Sequence, residues 1–399
     1  MIKSVVQRIK LLLLILIELV HRFQKLVKFF WYGKHEFERI CETQMDIYGK
    51  TMQIDQWLSR TSCEPIRQFF KRHFDAKSSH TVSAPKRAIN RVLKDYCSMK
   101  ERMIRDLSQT AQSKDALGGG DLNRSRQVEL EDGDIVLNSV LRGLMSELLE
   151  VITRAKKRRQ LSAECKACLS DTLYRILSYK LSMMIAEQLA STKYDSDRLS
   201  HTDMLINLWN NLVQADKQSK DSCGPQLERV FPPELSHEVK NVDEILSNRW
   251  SHIGFQGEDP GTDFRGMGML GLVQLSYLAR RPRKLARDLL RRSLNEPHSY
   301  PFAIVGINIT YNLLGLFRDG SMKHLYYDTG DALFRGRRRA LNLLTTFNEI
   351  YVELFLRFDC LWHESKPETI FAFKELMEKF VSIVKLDLSN RHFSLKFIY

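Results

Sequence analysis

Apolar side chains recur at helical spacing through most of the chain beyond residue 134, and this pattern constrains the fold more than any other feature. Such stripes occupy residues 137–152, 173–189 and 347–362, and residues three or four apart share one face of an α-helix. The segment 302–317, FAIVGINITYNLLGLF, is apolar enough for a buried strand. Because no partner strand is visible, we interpret it as a buried helix. The sequence therefore predicts an all-α fold.

Composition narrows the class of protein. A hydrophobic fraction of 43% in 399 residues is enough for a core, which excludes wholesale disorder. The seven cysteines are scattered and odd in number, unlike a secreted disulfide scaffold, so we expect a reducing compartment. Cys165 and Cys168 form a single CxxC with no second pair to complete a zinc site, and we interpret them as helix residues on adjacent turns.

The charge balance indicates an acidic binding partner. There are 61 Lys and Arg against 48 Asp and Glu, a net charge of +13, which suits nucleic acid, anionic lipid or an acidic protein face. The basic runs at 156–159, 280–292 and 335–339 lack interleaved aromatic residues and any zinc-finger or helix-turn-helix spacing. We interpret them as solvated helix faces, some of which could line an acidic partner, and we expect no nucleic acid.

The amino terminus, residues 1–34, predicts a membrane-anchoring helix. Its cations gather on one face and its Ile, Val, Leu and Phe on the other, with Phe29, Phe30 and Trp31 near the end. Glu18 interrupts the apolar run, so a spanning helix is disfavoured, and no small residues follow for signal cleavage. We expect residues 1–32 to lie on a membrane surface facing the cytosol. A core helix and an organelle-targeting segment remain alternatives.

The rest of the chain divides by composition. Residues 35–75 predict an amino-terminal helical segment, and 134–399 a larger helical region. Between them, residues 76–133 are polar with a Gly118–Gly119–Gly120 break, so we expect a disordered insert with a short helix at about 92–107.

The stretch RWSHIGFQGEDPGTDFRGMGMLGL, residues 249–272, concentrates glycines, acids and one arginine. Gly266, Gly268 and Gly271 match the dinucleotide fingerprint GxGxxG, and Asp288 lies at a suitable distance. The fingerprint requires a strand before it, whereas QGEDPGTDFR precedes it here, and Asp288 falls in a basic helical pattern. No GxxxxGK[ST] loop is present. We therefore expect no cofactor and no small-molecule substrate of its own.

The same stretch suits a rigid turn that presents Arg265. Pro260 and Gly261 favour a turn, and Thr262 or Asp263 could cap a helix that begins near Phe264. A planar, permanently charged guanidinium on such a turn could stabilise charge on a transferring phosphoryl group. The residues alone favour another interpretation, a local ion pair with one of the neighbouring acids, namely Glu258, Asp259 or Asp263.

This stretch also resembles the signature of the ELMO-domain family, in its short ELMO-domain-containing branch. The spacer between Gln256 and Pro260 is one residue longer than the branch's pattern. KYDSDRLSHTDMLINLWNNL before the stretch and YPFAIVGINITYNLL after it resemble the flanking helices, which places the domain at about 195–388. The matching motif residues are Trp250, Ile253, Gly254, Phe255, Gln256, Thr262, Asp263, Phe264, Arg265, Gly266 and Gly268.

The resemblance implies a GTPase-activating protein for Arf- and Arl-family small GTPases, with Arg265 as the arginine required for activity. GTP and Mg²⁺ would be carried by the partner, so we expect a regulator of the partner's hydrolysis rather than an enzyme with its own nucleotide site. Trp250, Phe255 and Phe264 would stiffen the loop. Gln256 would orient the water or the partner's switch glutamine, or would serve a structural role. A cytoplasmic, peripheral membrane location follows, at the endoplasmic reticulum, mitochondrion or Golgi. The alternative is a non-catalytic adaptor or effector that binds small GTPases or a Rho-family exchange factor.

Overall fold

All regular secondary structure in the described part of the chain is helical, which confirms the all-α prediction. Within it, no helix combines the length and apolarity needed to cross a bilayer. Most of the predicted anchor and of the predicted insert lies outside the described residues, although residues 122–133 belong to a helix. This computed structural model describes residues 34–75, 122–156, 161–213, 247–280, 283–328 and 343–390, and isolated positions 19, 20, 24, 85, 87 and 89.

The chain divides into two compact units. The first comprises Met1–Thr81 and Leu141–Leu177, and the second comprises Val82–Val140 and Ser178–Tyr399. The helices that enter the first unit are α1 (Glu36–Glu42), α2 (Ile47–Arg60), α3 (Glu64–Phe74), α4 (Leu122–Ala155) and α5 (Ala163–Ser191).

Local signals explain where the first helices begin. The backbone N–H of His35 donates to the Glu38 carboxylate over 2.7 Å, which is half of a capping box at the start of α1. The Asp46 carboxylate accepts from Gly49 N–H over 2.9 Å at the start of α2. Phe37 of α1 and Trp57 of α2 then pack with their ring centroids 5.4 Å apart, so the two capped helices share one apolar core.

The second unit is built around a buried helix, α7 (Gly268–Arg280), whose main α-helical contacts in the described residues are with four other helices. Nearly all of its residues up to Ala279 are buried, as expected for a helix that is apolar on every face. Its neighbours are α6 (Leu199–Val213), α8 (Arg283–Ser293), α9 (Phe302–Arg318) and α11 (Leu343–Ser365). The short α10 (Lys323–Asp328) and α12 (Phe373–Ser389) also belong to this unit, as do parts of α4 and α5. Helix α9 confirms the interpretation of residues 302–317 as a buried helix.

The sequence predicts that Thr202 or Asp203 begins one helix and that Pro367 begins another, but both starts are displaced. Helix α6 begins at Leu199 rather than at Thr202, because the Arg198 carbonyl already accepts from the N–H groups of His201 and Thr202. Pro367 does not open α12, since Lys366 adopts a positive φ of 44° and a 3₁₀ turn at Ile370–Ala372 comes first.

The basic run at 280–292 includes α8, as its helical pattern predicts. Its arginines are in part neutralised within the unit, because Arg291 pairs with Asp288 at 2.8 Å and Arg292 with the fully buried Asp359 at 2.7 Å. Asp288 therefore lies on a helix and pairs with an arginine, which agrees with rejecting it as a nucleotide-binding acid.

Candidate functional site

The motif forms two short 3₁₀ helices, Ser247–Ile253 and Pro260–Gly266, which lead directly into α7. The residues before Gly266 are therefore a 3₁₀ helix rather than the strand that a dinucleotide fingerprint requires. The Pro260–Gly266 helix also packs against α9. The two 3₁₀ helices, which we call the platform, therefore lie against the buried helices α7 and α9.

A chain of aromatic rings fixes this platform. Trp250 packs edge-on against Trp209 of α6 at 5.3 Å and against Phe255 at 5.9 Å between ring centroids. Phe255 lies 5.5 Å from Phe264, which in turn lies 5.7 Å from Tyr194. Trp250, Phe255 and Phe264 are all buried. Edge-to-face pairs at such distances are favourable beyond simple burial, so the predicted packing role of these three side chains is confirmed.

Gly254 lets the first 3₁₀ helix press onto the start of α9. It has a φ of +82°, and a Cβ built there would lie 2.2 Å from the backbone nitrogen of Phe302. Its carbonyl accepts from Ile304 N–H over 3.1 Å, which satisfies one of the free N–H groups in the first turn of α9. Only glycine allows both the backbone angle and the approach.

Gly268 allows a similar close approach between the start of α7 and the chain that follows α5. Its φ is +50°, and a Cβ would lie 2.3 Å from the Thr192 carbonyl oxygen, just past the end of α5. The same carbonyl accepts from Met269 N–H over 2.8 Å. This hydrogen bond joins the first turn of α7 to the chain that follows α5, so the motif is held on both sides.

The acids of the motif hold the turn, but not as the sequence predicted. Asp259 caps the second 3₁₀ helix by accepting from Gly261 N–H over 2.8 Å, and Asp263 accepts from Gln256 N–H over 2.7 Å. The expectation that Thr262 or Asp263 caps a helix near Phe264 is therefore wrong, because that helix starts earlier, at Pro260. Burial raises the pKa of Asp263, while the Gln256 N–H and Arg265 act in the opposite direction.

Arg265 is exposed at the last turn of the second 3₁₀ helix, between the buried residues Phe264 and Met267. Within the described residues its guanidinium forms no hydrogen bond and no ion pair. It acts on Asp263 only through its charge. The alternative of a local ion pair with Glu258, Asp259 or Asp263 is therefore not found. The Arg265 guanidinium is therefore a cation on a fixed backbone, and its N–H donors are available to another molecule.

The motif residues thus separate into a framework and a presented face. The framework is buried and holds the loop against α6, α7 and α9, whereas the presented face is exposed. Asp263 is intermediate in exposure. The framework residues are Trp250, Ile253, Gly254, Phe255, Phe264 and Gly268, and the exposed residues are Gln256, Thr262, Arg265 and Gly266.

A cleft of about 750 Å³ adjoins this face, between residues 192–198 and the turn at 259–262. Tyr194 forms part of its wall, and burial together with Asp259 and Asp195 raises the pKa of Tyr194 to about 12. Sequence reasoning did not single out Tyr194, because nothing local distinguishes it from other tyrosines. Its importance follows only from the tertiary contact with Phe264 and with Gly261.

His201 contacts two residues of the cleft wall, Asp195 and Tyr194. Its Nδ1 accepts from Asp195 N–H over 3.1 Å, so the ring carries its proton on Nε2, and its ring lies 5.9 Å from that of Tyr194. Burial and the nearby Arg198 lower the pKa of His201, whereas the charge of Asp195 raises it. The lowering prevails, so the folded protein favours the neutral ring.

Acidification should therefore destabilise this unit through His201. Because the folded pKa lies below the unfolded value of about 6.5, the stabilisation is complete above that pH and is lost as pH falls through the folded pKa. We expect the free energy of unfolding, from urea titrations at pH 7.5 and 5.0, to fall less in His201→Gln than in the wild type. His252→Gln, in the first 3₁₀ helix, is the control. An equal fall in His201→Gln and wild type would contradict this assignment.

Comparison with known proteins gives a consistent result. The ELMO/CED-12 family model matches residues 185–377, which include the whole motif, α6 to α11 and the first turn of α12. ELMO domain-containing protein 2 of Homo sapiens is 31% identical over 255 residues, which span 63% of this chain and 76% of that protein. No solved structure shows a significant match.

Two further relatives are similar over a smaller share of their own length. ELMO domain-containing protein B of Dictyostelium discoideum is 34% identical over 187 residues, 47% of this chain and 53% of that protein. ELMO domain-containing protein 1 of Homo sapiens is 30% identical over 256 residues, 58% of this chain and 66% of that one. With its motif, its helical unit and these matches taken together, the chain belongs to the ELMO/CED-12 family, among the ELMO domain-containing proteins.

Proposed function

We propose that this protein stimulates GTP hydrolysis by a small GTPase of the Arf and Arl family, by supplying Arg265 in trans. The observation that carries the proposal is an exposed arginine, without a partner among the described residues, on a backbone fixed from both sides by Gly254 and Gly268. The resemblance of the motif to that of the ELMO-domain-containing branch supports the choice of GTPase.

In this mechanism the GTPase provides its own phosphate loop, Mg²⁺ and attacking water. Arg265 adds a guanidinium that neutralises the charge developing between the β- and γ-phosphates. An arginine supplied in this way contributes about 10³–10⁵ in rate, or roughly 4–7 kcal/mol of activation free energy. Rigidity is essential, since a donor that is already in position needs no reorganisation during the reaction.

The neighbours of Arg265 have defined tasks in the proposal. Asp263 holds the turn through Gln256 N–H, which leaves the exposed Gln256 side chain at the surface where the GTPase would dock. We propose that Gln256 contacts the switch region of the GTPase, and that the cleft beside Tyr194 receives part of the same surface.

The test is single-turnover hydrolysis of GTP by a panel of purified Arf- and Arl-family GTPases, each with and without the full-length protein. A Rho-family GTPase is the matched control. Acceleration of at least one Arf-family member, with no effect on the Rho-family control, is the expected result. No acceleration of any member would contradict the proposal.

The same panel also distinguishes a GTPase activator from the adaptor alternative. An adaptor or effector would bind the GTP-bound form in preference to the GDP-bound form and leave hydrolysis at its intrinsic rate. Binding measured on the same proteins therefore distinguishes a GTPase regulator from a protein that only recognises the GTPase state.

We further propose that residues 1–32 place the protein on a cytoplasmic membrane surface, because their cations and apolar residues segregate at helical spacing. A fluorescent fusion of residues 1–40 should mark a membrane such as the endoplasmic reticulum, mitochondrion or Golgi. A diffuse signal would contradict this part of the proposal.

A further inference from the structure

A fully buried carboxylate, that of Asp359 in α11, joins α8, α11 and the residues before α9. The Tyr300 hydroxyl donates to its Oδ1 over 2.7 Å, and the Arg292 guanidinium forms an ion pair with its Oδ2 at 2.7 Å. The ring nitrogen Nε2 of His363, one turn further along α11, lies 3.3 Å from Oδ1. Because a buried carboxylate needs such partners to offset its lost hydration, the burial of Asp359 depends on these groups staying in place.

Tyr300 is fixed through both its backbone and its side chain. Its N–H donates over 2.7 Å to the carbonyl of Ser293, the last residue of α8, and its ring packs edge-on against Trp362 at 5.7 Å between ring centroids. Burial and the charge of Asp359 raise the pKa of Tyr300, so the hydroxyl stays protonated and donates to the carboxylate. The hydroxyl can be removed by substitution while the ring and the backbone contacts remain.

The platform rests on the backbone that directly follows Tyr300. The Pro301 carbonyl carbon and the Phe302 nitrogen would lie 2.6 Å and 2.2 Å from a Cβ built on Gly254. The Gly254 carbonyl accepts from Ile304 N–H over 3.1 Å. A shift of Tyr300 would therefore reach the contact between α9 and the platform through only two peptide units.

The same contact continues within the platform to Arg265. Gln256, two residues after Gly254, donates its N–H to the Asp263 carboxylate over 2.7 Å. Asp263 belongs to the same 3₁₀ helix as Arg265. One hydrogen bond and two short backbone segments thus join the start of α9 to the arginine.

We propose that the hydrogen bond between Tyr300 and Asp359 positions Arg265, by fixing the start of α9 against which Gly254 packs. Tyr300 and Asp359 are buried and do not contact the GTPase, so both are positioning residues rather than catalytic ones. The kinetic consequence rests on the proposed function. A reacting group displaced by about 1 Å can lose about 100-fold in rate, which is why a hydrogen bond away from the phosphates affects the reaction.

Tyr300→Phe is the main test, because it removes the hydroxyl and leaves the packed ring. We expect the maximal rate of stimulated GTP hydrolysis to fall about 10-fold, while the protein concentration that gives half of this rate changes by less than about 2-fold. The rate falls alone because Arg265 acts in the transition state, so its displacement does not weaken the encounter. The measurement is single-turnover hydrolysis over a range of concentrations of the full-length protein. A wild-type maximal rate in Tyr300→Phe would overturn the inference.

Two further variants separate positioning from general stability. Glu353→Gln is the matched control, because Glu353 is also a buried carboxylate of α11, but its ion pair with Arg357 at 2.8 Å continues to α12 rather than to α9. It should keep the maximal rate within about 2-fold of the wild type. Asp359→Asn retains a hydrogen-bonding partner for the Tyr300 hydroxyl and should lose less rate than Tyr300→Phe. A loss as large as that of Tyr300→Phe in either folded variant would contradict the role of this hydrogen bond.

Amide hydrogen exchange of the full-length protein alone gives a readout that needs no GTPase. In Tyr300→Phe, the Ile304 N–H should exchange at least about 5-fold faster than in the wild type, because its acceptor is the Gly254 carbonyl. The Asp319 N–H, which donates to the Gly315 carbonyl over 3.0 Å at the other end of α9, should exchange at the same rate in both proteins. Equal exchange at Ile304 would contradict the path through α9. If the wild type stimulated no GTPase, the proposed function would fail, and the exchange result would still accept or reject this path.

Discussion

Replacing Arg265 with lysine should reduce the stimulated rate of GTP hydrolysis by at least about 100-fold, and replacing it with alanine should return the rate to the intrinsic value. Lysine retains the charge but lacks the planar fork that contacts two phosphate oxygens together, and its flexible stem is not held in position. The measurement is single-turnover hydrolysis with the GTPase that responds to the wild-type protein.

The structure makes this substitution informative, because it should change catalysis without changing the fold. Arg265 is exposed and has no hydrogen bond or ion pair within the described residues, so the free energy of unfolding should change by no more than about 0.5 kcal/mol. Arg280→Lys, an exposed arginine at the opposite end of α7, is the matched control and should retain full stimulation. Equal stimulation by Arg265→Lys and the wild type would exclude a catalytic role for the guanidinium.

The second large effect is expected at Gly254. An alanine there would combine a positive φ of 82° with a Cβ lying 2.2 Å from Phe302 N and 2.6 Å from the Pro301 carbonyl carbon. These obstacles are backbone atoms at the start of α9, which cannot move aside as a flexible side chain would. We expect Gly254→Ala to lower the free energy of unfolding by about 3 kcal/mol or more, and to reduce stimulated hydrolysis as well.

Two other glycines of the motif separate the possible causes. Gly257 also has a positive φ, 74°, but no atom lies within 4 Å of its added Cβ, so Gly257→Ala should cost only about 1–2 kcal/mol of backbone strain. Gly266→Ala meets no atom and no unusual angle, and its stability should stay within about 1 kcal/mol of the wild type. If urea titration finds Gly254→Ala no less stable than Gly257→Ala, the close approach to α9 is not what the glycine provides.

Much of the fold could be predicted from periodicity alone. Helix α9 is an instructive case, because the choice between helix and strand for residues 302–317 depended on the absence of a visible partner strand. Helix ends were harder to predict: α6 begins at Leu199, where a backbone carbonyl rather than a typical capping side chain starts the first turn. Such starts leave no mark in the sequence.

The structure of the motif was likewise predictable only in part. Burial of Trp250, Phe255 and Phe264 follows from their chemistry and was predicted correctly. The hydrogen-bond partners of Asp259 and Asp263 were not predicted. Several acids near one turn compete for the same N–H groups, and only the backbone path decides among them. The contact of Tyr194 with Phe264 joins distant segments, and single-sequence patterns do not contain that information.

The central claim is that Arg265 contacts the phosphoryl group during transfer, and a transition-state analogue tests it most directly. The measurement is the affinity of the full-length protein for the responding GTPase loaded with GDP and aluminium fluoride, compared with a non-hydrolysable GTP analogue. The account predicts that the wild type binds the aluminium fluoride complex at least about 100-fold more tightly. It also predicts that Arg265→Lys loses most of this preference while binding the GTP-analogue form normally. An equal preference in Arg265→Lys and the wild type would contradict it.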